Sequence, residues 1–65
     1  MNISYNGQAL TLSQPQSLLE VIEAQGAKAP FAVALNGQFV PRSTLAEQRL
    51  QEGDSIELLS PIQGG

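Results

Sequence analysis

The dipeptide Asn-Gly occurs twice, as Asn6-Gly7 and Asn36-Gly37, and apolar residues alternate with small or polar ones on approach to each copy. A type I′ hairpin turn needs positive φ at both central residues, and Asn followed by Gly tolerates that best. The first turn therefore pairs Tyr5 with Gln8, Ser4 with Ala9 and Ile3 with Leu10. Met1, Ile3, Tyr5, Leu10 and Leu12 then share one face, so turn chemistry and apolar pattern agree on a single register. The second turn pairs Leu35 with Gln38, Ala34 with Phe39 and Val33 with Val40. It points Phe31, Val33, Leu35 and Val40 inward and leaves Phe39 on the opposite face, beside Ala32 and Ala34. An outward Phe marks a candidate contact surface, although single exposed apolar side chains are ordinary.

Between the hairpins, Pro15 breaks the strand, and Ser17 with Glu20 has the spacing of a helix-opening capping box. Leu18, Leu19, Val21 and Ile22 form an apolar stripe with Glu20 and Glu23 outside it, and Gly26 suits the left-handed position that ends a helix. The stripe is read as core, because a sheet needs a cover. Pro30 precedes the third strand and Pro41 stops the fourth. Ser43 to Leu50 is read as a short helix or turns, with Thr44 and Glu47 at capping-box spacing. Gly53-Asp54 is a turn, and Ser55 to Leu59 is the last strand, with Ile56 and Leu58 inward and Glu57 and Leu59 outward. The hairpins are not solenoid repeats, since one helix separates them.

Sixty-five residues allow one small domain with a modest core and no deep catalytic pocket. A hydrophobic content of 42% is near the globular average. The chain has no Cys and no His, which excludes disulfides, thiolate nucleophiles, the usual zinc sites and the commonest general base. The carboxylates Glu20, Glu23, Glu47, Glu52, Asp54 and Glu57 show no calcium-loop spacing. A net charge of −3, with Lys28, Arg42 and Arg49 scattered, argues against nucleic acid and anionic membranes and favours partners with basic faces. No stretch is long and apolar enough for a signal peptide or a membrane span, so a cytoplasmic protein is expected.

The last residues, Ser60-Pro61-Ile62-Gln63-Gly64-Gly65, carry no apolar pattern that a core would bury. Pro61 lacks an amide hydrogen and ends ladder pairing. The expected division is a platform over 1–59 and a flexible arm over 60–65. Six extended residues reach roughly 20 Å, enough to thread into another protein's active site. Two glycines leave no Cβ, so the end fits a narrow channel. The Gly65 carboxylate is then the working group. The plainer alternative is a frayed terminus.

Taken together, Met1-Asn2-Ile3 with Asn6-Gly7, the run Val33-Ala34-Leu35-Asn36-Gly37-Gln38-Phe39-Val40-Pro41-Arg42, then Gly53-Asp54-Ser55-Ile56-Glu57 and the terminal Gly64-Gly65 resemble the ThiS family, the small sulfur carriers of thiamine biosynthesis. The resemblance spans nearly the whole chain, its short length included. It implies an α+β, ubiquitin-like β-grasp fold: a mixed sheet of about five strands, first and last strands parallel and central, with one main helix across it. It also implies that the chain is no enzyme but a protein co-substrate that binds no cofactor of its own. An E1-like adenylating enzyme uses ATP to activate the Gly65 carboxylate, a persulfide sulfur donor displaces AMP to leave a thiocarboxylate, and a thiazole synthase takes the sulfur.

On this resemblance Ile62, Gln63 and Gly64 thread into the partner, with Ile62 as the anchor in a groove. Phe39 and Leu59, both outward in the expected register, form a possible docking patch. Arg42 matches the family run and is read as a surface charge pairing with a nearby carboxylate. The chain departs from the family pattern at Pro61, where tails carry an apolar β-former, and this bears on docking rather than on the end group. Rival readings are the small subunit of molybdopterin synthase or another sulfur-transfer carrier, a ubiquitin-like modifier, and a plain β-grasp interaction module.

Overall fold

The computed structural model describes residues 1–60. Both Asn-Gly turns form as expected. Asn6 and Gly7 take φ of 49° and 84°, Asn36 and Gly37 take 53° and 83°, all in the left-handed region. The first joins β1 (Asn2–Tyr5) to β2 (Gln8–Thr11), and the second joins β3 (Ala32–Leu35) to β4 (Gln38–Val40). The pairs are those the turns dictate, Tyr5 with Gln8 through Ile3 with Leu10, and Leu35 with Gln38 through Val33 with Val40.

The strand β5 (Ser55–Leu59) lies between the hairpins, giving a five-stranded sheet in the order β2-β1-β5-β3-β4. It runs parallel to β1, with Tyr5 opposite Ile56, and antiparallel to β3, with Ala32 opposite Leu59 and Leu35 opposite Ile56. First and last strands are thus central neighbours, which the family resemblance implied and strand spacing alone does not fix.

The helix α1 (Leu18–Ala24) covers one face. Its capping box is complete: Glu20 N–H donates to Ser17 Oγ at 3.1 Å, and Ser17 N–H donates to Glu20 Oε1 at 2.9 Å. Such a cap contributes about 1 kcal/mol. Gly26, at φ 86°, closes the other end in a Schellman arrangement. Its N–H donates to Glu23 O, and Ala27 N–H donates to Ile22 O, both at 3.0 Å. Leu18, Val21 and Ile22 are buried against Ile3, Val33, Val40 and Ile56, while Leu19 is packed at the margin.

The segment 43–50 departs from the expected capping box. Thr44 Oγ1 donates back to Pro41 O at 3.0 Å, and the local element is a 3-10 turn over Arg42–Thr44. The reason is a competing use of this chain. Leu45 and Leu50 are buried with the core, and their segment wraps the helix start. Leu18 N–H donates to Gln48 O at 2.9 Å and Leu19 N–H to Leu45 O at 3.1 Å, so two amides of the first helical turn find acceptors outside the helix. Ser17 and Arg49 form an isolated bridge at the same seam. Among the described residues no helix is long and apolar enough to cross a membrane.

Candidate functional site

With α1 on one face, the other face of the sheet carries the outward residues of every strand. Phe39 and Leu59 are both on it and are 68% and 70% exposed, and among the described residues the other large apolar side chains are buried or partly covered. They do not touch in a simple pair. Phe39 lies opposite Ala34 on β3, and Leu59 lies opposite Ala32 two residues away. Two strand spacings and one two-residue step put their Cα atoms roughly 12 Å apart. Ala32 and Ala34 form the shallow floor between them. Glu57 sits across Ala34 from Phe39 and gives the patch an exposed acidic corner.

The start of β5 is held by a polar network. Asp54 Oδ1 accepts from Asn36 Nδ2 at 2.9 Å, and Asp54 Oδ2 accepts from Gln51 N–H at 2.8 Å. Gly53, at φ 87°, turns the chain in, and its N–H donates to Asn2 O at 2.7 Å. Glu52 Oε1 accepts from Asn2 N–H at 3.0 Å. The carboxylates of this turn therefore serve backbone amides and a side-chain amide. Among the described residues no three carboxylates cluster as metal ligands would.

The far end of β5 leads to Ser60. Beside it an open groove of about 430 Å³ runs between Tyr5, Leu58 and the loop from Gln25 to Pro30. Desolvation at this margin pushes the Tyr5 phenol above its ordinary pKa. Contrary to the expectation, Arg42 pairs with no carboxylate among the described residues. Its guanidinium lies over the Phe31 ring, 5.8 Å from the centroid, an exchange of ion pair for aromatic face that suits a planar, weakly hydrated cation.

Of the site residues expected from sequence, Phe39 and Leu59 are exposed on one face as read. Ile62, Gln63, Gly64 and Gly65, with Pro61, lie outside the described residues. The sequence reading missed the second use of Asn6 and Asn36, whose side chains both reach β5.

The family model of the ThiS family matches residues 3–65. The chain belongs to the ThiS family. It is 38% identical over its full length, and over the full length of the relative, to the sulfur carrier protein ThiS of Escherichia coli (strain K12). The crystal structure of the thiamine biosynthesis protein ThiS from Geobacter metallireducens aligns over all of both chains, with a TM-score of 0.82 and 26% identity. The solution structure of a thiamine biosynthesis protein from the same organism aligns with a TM-score of 0.83 and 26% identity, over all of this chain and 88% of the other. As in the ThiS family fold, the sheet is mixed and, among the described residues, a single α-helix packs on it.

Proposed function

We propose that this chain is a sulfur carrier for thiamine biosynthesis, a protein co-substrate whose Gly65 carboxylate is adenylated and then converted to a thiocarboxylate. The observation that carries the reading is the full-length match to a ThiS sulfur carrier, at 38% identity. The chemistry of the residues is consistent with it. A carboxylate is a poor electrophile, because it is anionic and lacks a leaving group. An E1-like enzyme supplies one: the Gly65 oxygen attacks the α-phosphorus of ATP, and pyrophosphate leaves. The persulfide sulfur of a donor attacks the acyl carbon and AMP leaves. A thiolate on the donor then cleaves the sulfur–sulfur bond, freeing the thiocarboxylate and leaving a disulfide behind. A thiazole synthase takes up the sulfur. In this scheme the carrier needs no thiol, imidazole or cofactor of its own, and ATP is consumed by the partner in the cytoplasm.

Residues 1–59 act as the platform and 60–65 as the arm. Ile62 anchors the arm in a partner groove, and Gln63 and Gly64 pass through the channel. Phe39 and Leu59 dock the platform, with Glu57 meeting a basic group at the rim. Truncating both apolar side chains removes contacts of about 1–2 kcal/mol each. F39A/L59A is therefore expected to raise KM for the activating enzyme by about 10-fold or more, with Tm within about 3 °C of the parent, since both side chains are exposed. An unchanged KM removes the patch from the docking surface.

The function itself is tested by intact mass spectrometry after incubation with ATP, a ThiS-activating enzyme and a persulfide donor. A gain equal to the sulfur-for-oxygen difference, localised to Gly65, is expected. If the mass stays constant while the enzyme converts its own carrier, the chain is a binding module instead. Conjugates to lysine would identify a modifier.

A further inference from the structure

Positive φ explains why Asn precedes Gly in a type I′ turn, and it asks nothing of the Asn side chain. In this fold the side chain of Asn6 has a partner far along the sequence. β1 runs parallel to β5 with Ser4 opposite Ser55 and Tyr5 opposite Ile56. Ser4 N–H donates to Asp54 O at 2.9 Å, and Asn6 N–H donates to Ile56 O at 2.8 Å. In the regular spacing of a parallel ladder the next donor, Leu58 N–H, would meet the backbone carbonyl of residue 6. There the chain has already turned into β2. Asn6 Oδ1 stands in for that carbonyl and accepts from Leu58 N–H at 2.8 Å.

Asn36 makes the matching substitution on the opposite flank and at the opposite end of β5. Its N–H donates to Ser55 O at 2.7 Å, and its Oδ1 accepts from Ser55 N–H at 2.9 Å. β5 thus carries a side-chain rung where it begins and another where it ends. On the β3 side, the register closes at Ala32 opposite Leu59. On the β1 side, the last hold before Ser60 is Asn6.

We propose that Asn6 is a positioning residue for the C-terminal arm: its Oδ1 holds the Leu58 amide and so fixes the direction in which the chain leaves the sheet at Ser60. The proposal rests on the carrier reading, because direction matters when the end must reach a partner's active site. Six residues span at most roughly 20 Å when fully extended, and at that reach a swing of about 10° at the root would move the far end by about 3 Å. A root that samples several directions raises the ordering cost of docking, which falls on KM rather than on kcat.

N6G separates the two uses of Asn6. Gly-Gly also accepts a type I′ turn, so the hairpin stays while the acceptor is lost. N6D keeps an acceptor oxygen. N36G removes the sister rung, and with it the bond from Asn36 Nδ2 to Asp54, so it is the more damaging change to the platform. In N6G, Leu58 amide exchange is expected to accelerate about 10-fold relative to the other strand amides, an opening local to the rung. KM for adenylation should rise about 3- to 10-fold with kcat within about 2-fold. N6D should restore both, and N36G should keep the parent KM despite a larger fall in Tm.

A parental KM in N6G, or a rise in N36G as large as in N6G, overturns the proposal in favour of a purely structural rung. If the parent chain is not adenylated by an enzyme that activates its own carrier, the carrier reading fails on its own. The residual dipolar coupling of the Ser60 amide then decides the positioning claim: a changed value in N6G upholds it, and an unchanged value overturns it.

Discussion

Deleting Gly65 is expected to abolish thiocarboxylate formation while the platform keeps its stability. The shortened chain still ends in glycine and still offers a carboxylate. That carboxylate stands about 3.5 Å short of its former reach. In-line attack on a bound nucleotide tolerates little of that: a misplacement near 1 Å already costs about 100-fold. The fall in kcat/KM for adenylation should therefore be at least about 100-fold. The buried apolar residues of the described chain run from Ile3 to Ile56, so the deletion removes none of them. Tm within about 2 °C of the parent is the expected companion result. Activity retained after the deletion would show that the reaction does not depend on the reach of the Gly65 carboxylate. A large fall in Tm would show that the last residues belong to the platform.

Ile56→Ala is expected to have the largest effect on stability. Ile56 is fully buried on the central strand, between Tyr5 on one side and Leu35 on the other, and under α1. Removing its side chain there leaves a cavity that a five-stranded sheet cannot close without moving every strand, and such changes cost about 2–5 kcal/mol. A chain of this size holds only about 3–10 kcal/mol in total. Tm should fall by at least about 10 °C, and the variant is expected to be partly unfolded near 37 °C. Thermal denaturation followed by circular dichroism measures it. Leu59→Ala, three residues on and 70% exposed, is the control and should shift stability by no more than about 0.5 kcal/mol.

Local chemistry was legible wherever one residue type had one physical use. Asn-Gly set both hairpin registers, Ser17 with Glu20 set the helix start, and Gly26 set its end. Alternation put Phe39 and Leu59 on the outer face. Strand order was legible only through the family resemblance, since the pairing of β1 with β5 joins residues at opposite ends of the chain. The segment with Leu45 and Leu50 has no clear element in the sequence because its signal is tertiary. Two isolated leucines give no period, and their burial depends on the helix end they wrap. Thr44 had the spacing of a cap, but its hydroxyl had a nearer acceptor in Pro41 O. Asn6 and Asn36 hid a second use behind a sufficient first one. The turn alone accounts for them in sequence, and only the distances to β5 reveal the rungs.

The placement of β5 also has a mechanical side. On the carrier reading, a partner that draws on the chain beyond Ser60 in the direction of β5 pulls that strand along its own length. That strand is bonded to β1 on one flank and β3 on the other, with the bonds lying across the line of pull. The load is then shared as shear by all the rungs together, and no edge is available from which they could be peeled one by one. An edge strand at the same position in the chain would unzip under the same tug. With β5 in the middle of the sheet, the domain proposed as a carrier is an anchor that can be handled from its C-terminal end and released still folded.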